Sequence, residues 1–325
     1  MRAPNPVTYF TDPVGLNGAS ALAQVWPQVG DQALSVAQER ELEWLAAQAL
    51  PGSGQAREAI AAILGLAPGR RTLAVFLQVS RDSNVLMWPR VAGNAALVKL
   101  VLDATRGLDY QIVVKPHPRE AELPPAGLAG GIRPLPPGIS TEAILEIADA
   151  VFTINSSVGF EALARGKVVY TFGESPYAGR GCTRDMGDSV EDLRRALSRE
   201  TFRLDADEER LRRRLVHFIA FRYLVSEAEM FDAGAFFGRL SRWHRLHQAR
   251  QPLAEWFEPE PGGVRRRDWA AEQRRKRLER QLAQTSWELE ILRRSAPMRF
   301  AALVKRIPGV YAAYKFLQRL LGGPR

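Results

Sequence analysis

The chain has 325 residues, 46% hydrophobic and 25% charged, which is enough for one large or two modest domains with a substantial core. Its net charge of +9 is carried by the tail: residues 264–325 hold 16 Lys/Arg against 5 Asp/Glu, a net +11, which leaves the other 263 residues at −2. This excludes a nucleic-acid-binding surface spread over the whole protein, and the single cysteine, Cys182, excludes an internal disulfide and suits a reducing compartment.

The first stretch, MRAPNPVTYFTDP, lacks the apolar run of a signal peptide. No uncharged apolar stretch of about 18 residues occurs, so no transmembrane helix is expected. Residues 1–30, rich in Pro and Gly, read as extended and turn-rich. Helices are expected over 33–50 and 55–66, a buried strand over 72–79, a helix over 92–108 stopped by Gly107, and a second strand over 110–115. A short helix at 141–148, a strand at 148–155, a helix at 156–166 and a strand at 167–173 follow. This alternation predicts an α/β fold, a Rossmann-like parallel sheet with helices on both faces. Helices are then expected over 188–199, 208–225 and 231–250, with a linker at 251–263.

Ligands of such sheets bind beyond the carboxyl ends of the strands. Two segments place polar groups there. VVKPHPRE, residues 113–120, ends a strand in Lys115, His117 and Pro118. INSSVGFEALARG runs from a strand through Asn155, Ser156 and Ser157 into a helix, whose free N–H groups attract phosphate. Each segment has a plain structural reading, a stiff turn and a helix cap. Occurring together at successive strand ends, they point to a nucleotide phosphate. There is no Walker loop, no GxGxxG and no metal-ligand cluster. His217, His244 and His247 lie in Arg-rich helical stretches, and Cys182 in a loop without a base.

Four stretches in order resemble the bacterial capsule polysaccharide biosynthesis family, which includes the capsule β-Kdo transferases. They are PNPVTYFTDPVGLNGAS, FLQVSRDSNVL, VVKPHPRE and FTINSSVGFEALARGKVVYTFGESPYAGRGCTRD, within residues 4–190. The resemblance implies the C-terminal half of a GT-B fold that holds a CMP-linked nucleotide sugar through His117, Pro118, Ser156 and Ser157, with Lys115 beside them. Glu161 is then a candidate to hold the ribose or cytosine, with a buried carboxylate bonding its own helix region as the equal alternative. Gln78 and Ser83 follow the first strand of the sheet, and Tyr177, Arg180 and Arg184 are expected as walls or carboxylate clamps for the sugar acid. No cofactor is implied.

The family's catalytic acids come from the N-terminal half. Residues 1–70 resemble only a remnant of that half with connecting helices, so the catalytic residues stay unassigned; if the chain proves active alone, Asp12 and Asp82 are the first carboxylates to test. The chain is therefore expected to be a truncated form, a split enzyme that acts with an N-terminal-half partner protein, or a non-catalytic nucleotide-binding or scaffold subunit. A sialyltransferase-like or CDP-glycerol-using transferase is the alternative within enzymes. The sheet is followed by a helical C-terminal extension, 264–325. From Ile291 to Arg325 it has eight Lys/Arg, no Asp/Glu and an apolar stripe, which suits peripheral contact with the inner face of the bacterial inner membrane. A lipid or glycolipid acceptor would meet the chain there.

Overall fold

The computed structural model of the chain describes residues 8–10, 12–15, 17–49, 54–117, 132–133, 135 and 139–258. The chain divides into two compact units, Met1–Gly263 and Val264–Arg325. The expected helical extension and its membrane-facing tail lie outside the described residues.

In chain order the elements are β1 (Thr8–Phe10), α1 (Ala21–Val29), α2 (Val36–Ala49), α3 (Gly54–Ile63), β2 (Arg71–Phe76), α4 (Ser83–Met87), α5 (Asn94–Thr105) and β3 (Tyr110–Lys115). They continue with β4 (Ile132–Arg133), α6 (Thr141–Ile147), β5 (Ala150–Thr153), α7 (Ser157–Ala164), β6 (Val168–Thr171), β7 (Arg184–Asp185), α8 (Val190–Arg199) and α9 (Ala206–Phe218). A π-helical turn, Ile219–Tyr223, leads to β8 (Leu224–Ser226), α10 (Glu227–Phe231) and α11 (Ala233–Gln248).

Side chains set the helix boundaries. Ser140 and Ser189 cap α6 and α8, and Asp205 and Glu208 form a reciprocal capping box at the start of α9. Past the end of α5, Gly107 takes φ +78°, a left-handed conformation that other residues adopt only with strain.

Six strands pair in the order β4-β3-β2-β5-β6-β7, parallel throughout, as expected for a Rossmann-like sheet. The strands are apolar on both faces because both faces are covered. Ala74, Phe76, Val113, Val151 and Val169 face a core shared with α1, α6, α7 and α9. The alternate residues Leu73, Val75, Val114, Phe152 and Tyr170 face a second core with α5 and α8. There Phe152 stacks on Tyr170 with ring centroids 4.5 Å apart.

Besides the short elements α4, β4, β7 and α10, absent from the sequence reading, three stretches differ from it. Residues 21–29 form a helix rather than a turn-rich segment. Ser20 caps it, and Ala21, Leu22, Val25, Trp26 and Val29 bury one face, which outweighs the hydrogen bond lost at Pro27. The helix expected over 208–225 ends early. Leu224–Ser226 pairs antiparallel with Thr8–Phe10 in a separate two-stranded sheet. Finally, the first part of the expected linker is packed: Leu253–Phe257 is a 3-10 turn with Phe257 buried against Phe218, Tyr223 and Trp243.

Candidate functional site

The strand order reverses at β2, with β3 on one side and β5 on the other. All three strands end at the same edge, in register: Phe76 pairs with Lys115, and Val75 with Phe152. Two strand spacings put the ends of β3 and β5 about 10 Å apart, with the end of β2 between them. Lys115, Gln78, Asn155, Ser156 and Ser157 are thus brought to one edge of the sheet.

Lys115 closes β3, and its Nζ donates to the Ile139 carbonyl at 2.8 Å. Burial holds its pKa below the usual lysine range, and Glu142 offsets this in part. His117 lies two residues further on and is partly buried, while Pro118 lies outside the described residues.

The β5–α7 turn is braced from three sides. Ser156 caps α7, its Oγ accepting from the Val158 N–H at 3.2 Å. Thr153 Oγ1 accepts from the Ser156 N–H at 3.3 Å. The Tyr177 hydroxyl donates to the Ser156 carbonyl at 2.5 Å. A braced helix start of this kind is a fixed positive end for an anion.

Gln78 clamps the same turn from β2. Its Oε1 accepts from the Asn155 N–H at 3.0 Å and its Nε2 donates to Asn155 Oδ1 at 2.9 Å, with both residues buried. Asn94, at the start of α5, holds Gln78 in turn: its Oδ1 accepts from the Gln78 N–H at 3.1 Å and its Nδ2 donates to the Gln78 carbonyl at 2.6 Å. The sequence reading passed over Asn94. A polar residue at a helix start carries no signal until its partner 16 residues earlier is placed beside it. Gln78→Leu is expected to cost about 1–3 kcal/mol by stranding the Asn155 groups. An unchanged urea midpoint would show that the clamp contributes nothing.

The remaining candidates are placed less simply. Glu161 lies one turn into α7, and its carbonyl accepts from Arg165 Nη1 at 3.1 Å. Asp82 immediately precedes α4 on the loop after β2, and Ser83 is the first residue of that helix. Tyr177 is 0% exposed, so it is a packing residue and not the wall of an open cleft. Its ring fits against α7 because residue 159 is glycine; a Cβ there would collide with the Tyr177 hydroxyl. Arg180 bonds the carbonyls of Pro176 and Gly179 in its own loop, each at 3.3 Å. Arg184 is not an open carboxylate clamp: Nε lies 3.0 Å from Glu200 Oε2, and the two terminal nitrogens bond Glu208.

Asp12 is likewise engaged. Its carboxylate accepts from the N–H groups of Val14 (2.7 Å), Gly15 (2.9 Å) and Ala21 (2.8 Å) and from the Tyr223 hydroxyl (2.5 Å). These bonds make it a brace between the N-terminal segment and the π-helical turn. Glu174, three residues past β6, leaves the sheet at the same carboxyl edge, and its carboxylate lies over Gly18. It is a carboxylate the sequence reading did not single out.

His217 is buried, with Nε2 2.8 Å from Glu41 Oε2. Cys182 is buried and its thiol is pushed up to about 12, which makes it inert. Among the described residues no group of three or more His, Cys, Asp or Glu is arranged to hold a metal ion.

A cavity of about 450 Å³ lies elsewhere, lined by Tyr170, Arg184, Arg199, Glu200, Arg203 and Glu208 among others. It borders the end of α8. That end is tied to the amino end of the sheet, where Tyr110, the first residue of β3, donates to the Leu197 carbonyl at 2.9 Å. Ligands of this fold bind at the opposite edge, and the charges of Arg184, Glu200 and Glu208 already satisfy one another. The carboxyl-edge site is the better candidate.

Comparison with known proteins agrees with the family read from the sequence. Residues 135–208, from before α6 into the first turn of α9, match the family described as capsule polysaccharide biosynthesis protein. The capsule polysaccharide modification protein LipA of Neisseria meningitidis serogroup B is 32% identical over 116 residues, 34% of this chain and 16% of that protein. The lipopolysaccharide-processing protein LpsZ of Rhizobium meliloti is 30% identical over 123 residues, 36% of this chain and 28% of that protein. The chain thus matches less than a third of the length of these relatives. Among solved structures, the β-Kdo 2,7 transferase KpsC of Thermosulfurimonas dismutans superposes with a TM-score of 0.44 at 23% identity, over 67% of this chain and 64% of that one. The wall teichoic acid polymerase TagF gives 0.37 at 15% identity, over 61% and 48%.

Proposed function

We propose that this chain, a relative of the capsule polysaccharide biosynthesis proteins, is the donor-binding half of a glycosyltransferase of capsule or surface polysaccharide assembly. It takes a CMP-activated sugar acid such as CMP-Kdo and a membrane-associated lipid or glycolipid acceptor. The observation that carries this reading is the edge where β2, β3 and β5 end together. There a lysine and a histidine leave one strand, and a braced helix start leaves another. The β5–α7 turn lies inside the segment that matches the family.

In this reading the donor phosphate lies between Lys115–His117 and the N–H groups of α7. As the sugar departs, negative charge grows on that phosphate. Fixed cations and helix N–H groups stabilise it without reorganising. Such a site does its work with protein groups alone and calls for no metal. Contact of residues 291–325 with the cytoplasmic face of the inner membrane would bring the site to its acceptor.

Calorimetry with CMP, CDP, UDP and GDP tests the donor assignment. CMP and CDP are expected to bind more tightly than UDP and GDP, and His117→Ala to weaken binding by about 1.5–3 kcal/mol through loss of a charge-assisted hydrogen bond. Affinity is also expected to fall as pH rises through the lowered pKa of Lys115, because the ammonium that faces the phosphate is lost. Equal binding of all four nucleotides, or of none, would rule the reading out.

The engagement of Asp12 favours a second reading, a nucleotide-binding subunit that does not itself catalyse transfer. Incubating CMP-Kdo and a lipid-linked acceptor with the chain, alone and together with an N-terminal half supplied in trans, separates the two: product formed once that half is added supports the first reading, and no product in either case supports the second.

A further inference from the structure

We infer that the Glu174 carboxylate holds a pair of neighbouring hydroxyl groups on the donor, an assignment that rests on the donor reading above. Glu174 lies three residues past β6, and the path to it is pinned. The Phe172 N–H donates to the Thr153 carbonyl at 3.0 Å, so the chain leaves β6 directly against the end of β5. The Arg90 N–H donates to the Phe172 carbonyl at 2.7 Å, and the Glu174 N–H to the Trp88 carbonyl at 2.9 Å. Tyr177, three residues on, is tied to the Ser156 carbonyl at the start of α7. In the register of β5 and β6, where Thr153 pairs with Thr171, Glu174 falls level with Ser156. Its backbone is thus fixed beside the helix start that faces the phosphate.

The side chain is partly buried, and among the described residues its carboxylate has no hydrogen-bond or ion-pair partner. Arg180 is near enough to feel its charge but forms no ion pair with it. The room it occupies is kept by Gly18, where a Cβ would collide with the carboxylate. Gly18 does not take a left-handed φ, so space and not backbone conformation calls for glycine there. A carboxylate only accepts hydrogen bonds, and its two oxygens match two adjacent hydroxyls. Beside a site for an anion it repels the phosphate itself, so its partners are the neutral donors that flank the phosphate. A nucleotide sugar offers these on both sides, on the ribose and on the transferred sugar.

Calorimetry on the full chain with CMP, 2′-deoxy-CMP and CMP-Kdo tests this, comparing wild type with Glu174→Ala. The variant is expected to unfold at the wild-type urea midpoint, because no hydrogen bond is lost. If the ribose is held, Glu174→Ala weakens CMP and CMP-Kdo about tenfold or more and 2′-deoxy-CMP far less. If the transferred sugar is held, only CMP-Kdo weakens, by a similar factor. Glu174→Gln, which keeps the shape and one acceptor, shows the same pattern to a smaller degree and replaces Glu174→Ala should that variant misfold. Wild-type affinity of the variants for all three ligands overturns the assignment while the donor reading stands. An equal loss for all three makes Glu174 a brace of its loop and overturns it too. Failure of the wild-type chain to bind CMP and CMP-Kdo removes the donor reading, and this assignment with it.

Discussion

Arg184→Met is expected to lower the free energy of unfolding by about 3–5 kcal/mol, a large fraction of the stability of an ordinary domain. The cost comes from what is left behind. The Glu200 side chain is 4% exposed and accepts from Arg184 Nε, from the Tyr170 hydroxyl at 2.9 Å and from the Phe202 N–H at 2.9 Å. Glu208 completes the network and also belongs to the capping box of α9. Without the guanidinium, two carboxylates lie close together in a partly dry site. Removing one of them should help, so Arg184→Met with Glu200→Gln is expected to be more stable than Arg184→Met alone. Thermal or urea unfolding of both variants reads this. Nucleotide-sugar affinity is expected to be unchanged in whatever protein remains folded. Wild-type stability with lost affinity would instead restore Arg184 as a clamp on the sugar carboxylate.

Asp12 separates structure from catalysis in the same way. Asp12→Ala removes acceptors from three backbone N–H groups and from the Tyr223 hydroxyl, and is expected to cost about 2–4 kcal/mol. Asp12→Asn retains one carbonyl oxygen and should cost less. If the chain transfers sugar, the folded Asp12→Asn protein is expected to keep most of its rate. A rate reduced a thousandfold in a protein that melts normally would identify Asp12, rather than Asp82, as the catalytic base.

The sheet was legible because parallel strands covered on both faces are written as unbroken apolar runs, TLAVF, YQIVV and AVFTI, each next to a helical pattern. The strand-end positions of Lys115 and Ser156–Ser157 followed from that alone. Other features depend on partners far away in sequence. Arg184 reads as a free cation until Glu200 and Glu208, 16 and 24 residues later, fold back onto it. Tyr177, in a loop rich in Gly and Ser, reads as exposed until Gly159 makes room for its ring. Leu224–Ser226 continues a helical pattern, and only pairing with Thr8–Phe10 turns it into a strand. Local propensity is a weak guide wherever such a contact decides the outcome.

That last pairing also bears on how the protein comes to exist. β1 and the Asp12 carboxylate are held by β8 and Tyr223, and Asp12 and Tyr223 are 211 residues apart. On the ribosome the early segment emerges long before its partner. The Rossmann-like sheet can form in the interval from contacts between neighbouring elements, but the belt around it cannot close until synthesis has passed residue 226. Closing so long a loop is slow and entropically costly, so the nascent chain carries β1 as an unpaired strand until Leu224–Ser226 has been made. Three residues is a short edge, and brevity is one of the ways in which proteins keep an open strand from pairing with the wrong neighbour.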